Sequence, residues 1–390
     1  MRRVVLAGML TMAVVMGIGR FAFTPILPSM RDAFGLSATD LGTMASANYL
    51  GYLLGALAAA TPALLRWRRQ VVRGGLFLVI AATVAMALTT FLPVWLVLRF
   101  IAGLASALVF VFASAAVIGW FVGQRRPALV GFFFSGVGLG IALSGAVILM
   151  VQRIAGKEAW RVEWLSVALL AMLLATPSLR WLPQETLTAA TQPRPAGAPR
   201  AVTLPMLLLA VSYFLGGVGY IVAGTFIVVI VSAVPGLQEL GAGSWILVGL
   251  ASLPSTPIWT RLAGRIGRMT ALGCAYLLMA LGLLLPALIP QPPAAVASTL
   301  LFGTTFIAFG ALTVAEAQAL APPRQAARTI ALLTVIFGLG QVAGPLLAAS
   351  LAGPDGNFRI SLLVAGIVVL VAAFIALASA LGPRRKDEDA

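Results

Sequence analysis

Apolar residues fill this chain in long runs separated by short polar breaks. Each run is about 20 residues or longer, the length an α-helix needs to cross the hydrocarbon core of a bilayer. The runs lie at approximately 4–30, 39–64, 71–92, 94–122, 127–151 and 162–182, then at 204–233, 243–263, 269–289, 294–321, 328–351 and 359–382. Between the two sets lies PQETLTAATQPRPAGAPRAV, a long polar stretch rich in Pro, Ala and Thr that reads as a flexible linker. The expected organisation is a first six-helix bundle over 1–182, a linker over 183–203, and a second six-helix bundle over 204–390 with a short charged tail.

Composition agrees with the pattern. Of 390 residues, 61% are hydrophobic and 9% charged, against roughly 25% charged in soluble domains. The expected class is an all-α, multi-pass membrane protein with twelve transmembrane helices, placed in the bacterial inner (plasma) membrane. The first run follows Arg2 and Arg3 as a secretory signal would, but its apolar region is too long and no small-residue cleavage site follows. It reads as an uncleaved first helix.

The net charge of +15 does not point to nucleic acid, because the basic residues sit in short clusters between apolar runs. With both termini in the cytoplasm, the outer side holds only Arg31, Arg153, Lys157, Arg161 and Arg359, and most other Lys and Arg fall inside. That asymmetry predicts cytoplasmic termini. One cysteine, Cys274, excludes an intramolecular disulfide, and the lack of histidine excludes histidine metal sites and histidine general bases. No nucleophile–base set remains, so no enzyme and no cofactor are expected.

The two sets of runs match at an offset of 200. Gly17 and Gly19 correspond to Gly217 and Gly219, Gly138-Leu139-Gly140 to Gly338-Leu339-Gly340, and Arg68 to Arg268. Parallel six-helix repeats are a transporter architecture with the substrate site at the repeat interface.

These features together resemble the major facilitator superfamily. The loop RLAGRIGR, Arg261 to Arg268, is similar to its cytoplasmic motif written around L-x-D-R-x-G-R, with Gly264 in the place of the acid. The equivalent first-half loop, LLRWRRQVVR, is more degenerate. Arg99-Phe-Ile-Ala-Gly103 resembles the R-x-x-x-G motif of the fourth helix. GIGRFAFTPILP with SANYLGYLLGA, Ser46 to Ala56, resembles the YbfB/YjiJ-type subfamily. The resemblance implies secondary active transport of a small solute by alternating access. It also implies a cavity lined by spans 1, 4, 7 and 10, and a gating role for the loop that carries Arg265 and Arg268.

Arg20, Arg99 and Glu316 are the charges inside apolar runs, where a charge is costly and usually faces a protein interior or watery cavity. Arg20 lies about sixteen residues, roughly 24 Å, from the cytoplasmic end of span 1. Arg99 enters span 4 from outside to a similar depth. A guanidinium suits a carboxylate or phosphate, so Arg20, with Arg99, is a candidate receptor for an anionic group. The plainer alternative has each arginine bonding helix carbonyls or Glu163, at the outer mouth of span 6. Arg99 could also snorkel outward.

Glu316 is a candidate for proton coupling or gating. The plainer alternative is an interfacial residue bonded to Gln318, Arg324 or Arg328. Thr24, Asn48, Tyr49, Tyr52, Tyr213 and Tyr220 are further candidates for the cavity lining. Asn48 and Tyr52 share a helix face, and Gly51 and Gly55 would let that helix approach a neighbour. Tyr220 is the repeat counterpart of Arg20.

Gly136-Val-Gly138-Leu-Gly140 and Gly338-Leu-Gly340-Gln-Val-Ala-Gly344 mimic nucleotide-binding patterns but follow no strand, so close helix packing is expected instead. Pro25, Pro28, Pro254 and Pro257 are candidate hinges.

The favoured reading is a monomeric transporter of a small anionic or zwitterionic organic solute, with proton coupling through Glu316. A drug-type exporter of apolar or cationic compounds remains open, as does a channel or non-transporting sensor.

Overall fold

The computed structural model describes residues 1–126, 129–156, 159–183, 203–237, 240–321, 325–353 and 356–381. The expected linker lies almost wholly outside the described residues. No strand occurs among them. The first set of helices is α1 (Arg2–Met12), α2 (Phe23–Phe34), α3 (Ala38–Ala59), α4 (Pro62–Leu65), α5 (Arg68–Met86), α6 (Leu92–Gly123), α7 (Val130–Ala155) and α8 (Trp160–Trp181). The second is α9 (Leu204–Ser232), α10 (Gly241–Ser252), α11 (Ser255–Ile266), α12 (Arg268–Leu288), α13 (Pro292–Thr305), α14 (Ala308–Leu320), α15 (Ala326–Ser350) and α16 (Arg359–Leu381).

Among the described residues, ten helical segments are long and apolar enough to cross a membrane. The 22-residue α3 and the interrupted pair α10–α11 occupy the places of the second and eighth expected runs. Large apolar side chains such as Phe77, Leu88, Ile154 and Phe374 face outward. That arrangement suits a bilayer, which has no water to penalise them.

Span 1 is not a continuous helix. A π-helical turn covers Ala13–Ile18, and Gly19 and Phe21 donate to the carbonyls five residues back, at Val14 and Met16. Pro25 has no N–H to continue the ladder, and Thr24 N–H bonds the Phe21 carbonyl instead. This leaves the carbonyls around Arg20 in need of donors from elsewhere, as at other breaks within membranes.

Span 10, expected as one helix, also breaks, between α13 and α14. Thr304 and Thr305 hydrogen-bond back onto the preceding turn, a pattern that bends helices. The released Thr304 carbonyl accepts Ser255 Oγ and Trp259 Nε1, both at 2.7 Å. Span 8 breaks at Pro254, between α10 and α11, as its prolines suggested.

Small residues set the helix spacing. A Cβ on Gly103 would overlap the Asn48 carbonyl, and Cβ atoms on Gly51 and Gly55 would meet the carbonyls of Phe100 and Leu104. Helices α3 and α6 therefore pack backbone to backbone. Gly136 and Gly140 in α7 lie against Met9 and Ala13 in the same way, which bears out the packing reading of the glycine runs. Across the two sets, α2 touches α9, α3 touches α15, and α7 touches α10.

Candidate functional site

The broken segment Gly19–Ala22 presents Arg20 inward, with 3% of its surface exposed. Its guanidinium lies 4.0 Å from the ring centre of Tyr52, 5.1 Å from Tyr49 and 5.3 Å from Phe21. Each such cation–aromatic contact is worth about 0.5–2 kcal/mol, the larger value when water is excluded. One terminal nitrogen donates to Gln341 Oε1 at 2.6 Å, and Nε has no hydrogen-bond partner among the described residues. Among the described residues the ion pairs are Arg31–Asp32 and Arg268–Glu316, so no carboxylate neutralises Arg20.

Gln341, on α15, donates in turn to the Tyr220 hydroxyl on α9. Arg20 and its repeat counterpart Tyr220 therefore meet through one amide. Tyr220 stacks on Phe337 at 5.4 Å and on Phe306 at 6.4 Å, while Tyr213 covers Phe337 at 4.2 Å. The site is charged on one side and aromatic on the other.

Gln341 is the only amide in span 11. That rarity is the signal the sequence offers for it, beside its place in the glycine pattern. Gln341→Leu should leave both Arg20 and Tyr220 short of a partner and cost about 1–3 kcal/mol. Thermal unfolding against wild type measures this.

Arg99 and Asn48 serve the break itself. Arg99 is buried, donates to the Arg20 carbonyl at 3.1 Å, and lies 4.7 Å from the Phe23 ring centre. Outward snorkelling is therefore not what it does. Asn48 donates to the carbonyls of Arg99 at 2.9 Å and Gly19 at 3.3 Å. Both side chains supply donors that the interrupted helix no longer provides. Thr24 and Tyr49 reach the other set: Thr24 Oγ1 donates to the Gly224 carbonyl at 2.6 Å, and the Tyr49 hydroxyl sits 3.2 Å from Thr225 Oγ1. Ser46 adds a bond to the Val342 carbonyl at 2.8 Å.

Glu316 lies apart from this cluster. Arg268 donates to its Oε2 at 2.7 Å, so its partner is neither Gln318 nor Arg328, and Arg324 lies outside the described residues. Gly267, at φ +92°, turns the chain so that Arg268 can open α12 beneath α14. Arg265 is exposed, without a hydrogen bond or ion pair among the described residues. Arg268 is 45% exposed, so Glu316→Gln should change stability by less than about 1 kcal/mol in a melting experiment. Glu163, expected at the outer mouth of span 6, is fully buried beneath α2 and bonds no arginine.

A buried cation thus faces an aromatic wall between the two helical sets, in a fold that solved transporter structures share. The chain aligns with a D-xylose-proton symporter at a TM-score of 0.77 and 17% identity, over 96% of this chain and 97% of that one. It aligns with the nucleoside transporter NupG at 0.70 and 13%, over 98% and 100%. A bacterial homologue of the human lysosomal transporter Spinster, inward-facing and occupied, aligns at 0.70 and 17%, over 97% and 96%. A chloramphenicol resistance protein of Streptomyces lividans is 27% identical over 378 residues, covering 93% of this chain and 92% of that protein. Residues 12–377 match the model of a family described as "Uncharacterised MFS-type transporter YbfB". The chain belongs to this family of the major facilitator superfamily and is a multi-pass integral membrane protein.

Proposed function

We propose that this protein is a secondary active transporter that binds a small anionic or zwitterionic organic solute against Arg20. The two helical sets, over 1–182 and 204–390, act as bundles that rock around that site. The observation that carries the reading is a deeply buried guanidinium with no carboxylate partner among the described residues, held by an amide, by Tyr52 and by aromatic faces. A solute carboxylate would supply the missing charge, displace or share Gln341, and lay an apolar or aromatic body along Tyr220, Phe337 and Phe306. Arg99 and Asn48 hold the break that presents Arg20.

The pairing of Glu316 with Arg268 supports a strut at one membrane face over a proton carrier. With both termini cytoplasmic, the bonds from Thr24 to Gly224 and from Tyr49 to Thr225 close the outer end of the interface.

A second reading, export of neutral aromatic drugs, draws on the chloramphenicol resistance relative and on the aromatic wall. Counterflow in proteoliposomes tests transport itself. Saturable exchange of an external labelled carboxylate against internal unlabelled solute is expected. A channel or a sensor shows none. Exchange of chloramphenicol with indifference to carboxylates would favour the drug exporter.

A further inference from the structure

We propose that Glu163 is a proton-binding site that couples the outer segment of span 1, α2, to the state of the central site. The proposal rests on the transporter reading only for its purpose. The site itself stands on geometry.

Glu163 is fully buried at the start of α8. Its Oε1 accepts Ser29 Oγ from α2 and Gln152 Nε2 from α7, both at 2.8 Å. Both donors are neutral. Its Oε2 has no hydrogen-bond partner among the described residues. Among the described residues, no charge on the packed elements compensates it. Arg31 and Asp32 of α2 pair with each other at the surface. Arg153 of α7 is exposed, and Arg161 lies over the Trp160 ring. Arg3 of α1 covers Trp181, and Arg68, Arg69 and Arg73 of α5 gather near Ser178, both at the far end of α8. Arg20 and Arg99 bond elsewhere. Lys157 and Glu158 lie outside the described residues. The group that fits is a neutral carboxylic acid with its proton on Oε2.

Helix α2 links this acid to the central site. Ser29 is nine residues from Arg20, roughly 13 Å along a helix. Between them Thr24 holds Gly224 of the other set. The break at Gly19–Ala22 lets α2 move as a unit. When the O–H bond at Oε2 breaks, the bonding pair stays on the carboxylate and the proton passes to water on the outer side. The remaining carboxylate has a bare oxygen in an apolar setting. It draws in water, loosens the seat of α2 on α7 and α8, and weakens the Thr24 closure. Reprotonation restores the seat.

Glu163→Gln in the full chain tests this, because the amide keeps an acceptor for Ser29 but cannot titrate. Infrared difference spectra across a pH titration read the protonated carboxyl. Spin labels on Asp32→Cys and Ser232→Cys, in a Cys274→Ala background, read the distance from α2 to α9. The wild type should show a buried acid band that fades at alkaline pH while α2 and α9 separate. Glu163→Gln should lack the band and keep one pH-independent distance. Ser29→Ala should shift the band frequency, a readout that remains if Glu163→Gln does not fold. A wild type without the band, a band unchanged by either variant, or equal pH responses of the distance in both proteins would overturn the proposal. Neither readout uses a solute, so its failure leaves the counterflow result standing.

Discussion

Arg20→Ala should weaken binding of carboxylate solutes by about 10- to 100-fold while the protein still folds. A hydrogen bond to a charged group contributes roughly 1.5–3 kcal/mol, and each 1.4 kcal/mol is a factor of ten. Stability should fall by no more than a few kcal/mol, because the lost contacts with Gln341 and three aromatic rings are partly offset by removal of the charge's desolvation cost. Arg20→Lys should fall between the two, since it keeps the charge but loses the planar fork and much of the contact with Tyr52. Titrations followed by intrinsic fluorescence give the affinities, and thermal unfolding reports stability separately.

The largest loss of stability is expected at a glycine that packs behind the site, against the backbone of Asn48 and Tyr52. Gly103→Leu drives a side chain into the Asn48 carbonyl, a backbone atom that cannot swing aside. Overpacking typically costs about 1–3 kcal/mol, and more where backbone must move. Helix α3 would shift as a body and take Asn48 away from the Gly19 and Arg99 carbonyls. The same change should therefore impair Arg20 presentation. Gly264→Ala is the control, because a Cβ there meets open space. It should be neutral or stabilise by about 0.5–1 kcal/mol. Melting temperatures of the two variants, measured in one detergent, check the contrast.

The helical class, most of the spans and the glycine-mediated packing were legible in the sequence, because run length and small-residue spacing respond to local physics. Arg20 stood out for the same reason: a charge in an apolar run is conspicuous by cost alone. What joins it to the other set was not legible. Gln341 lies more than 300 residues away and carries no charge, so only its rarity in span 11 marked it. Phe306 and Phe337 are ordinary residues in apolar runs, and only helix rotation makes them a wall beside Tyr220. The break in span 10 was missed because threonine back-bonding, unlike proline, leaves no sharp signal. The Arg268–Glu316 pair was missed because the motif's usual acid is absent, while the acid that serves stands on another helix.

The central claim is that Arg20 receives an anionic group. It is tested most directly by thermal-shift titration with one aromatic scaffold carried as its carboxylate, its neutral amide and its amine. Wild type and Arg20→Ala are compared side by side. The account predicts that the carboxylate stabilises wild type most, and that its advantage over the amide disappears in Arg20→Ala. Equal stabilisation of both proteins by the carboxylate, or a preference for the amine in wild type, would contradict it.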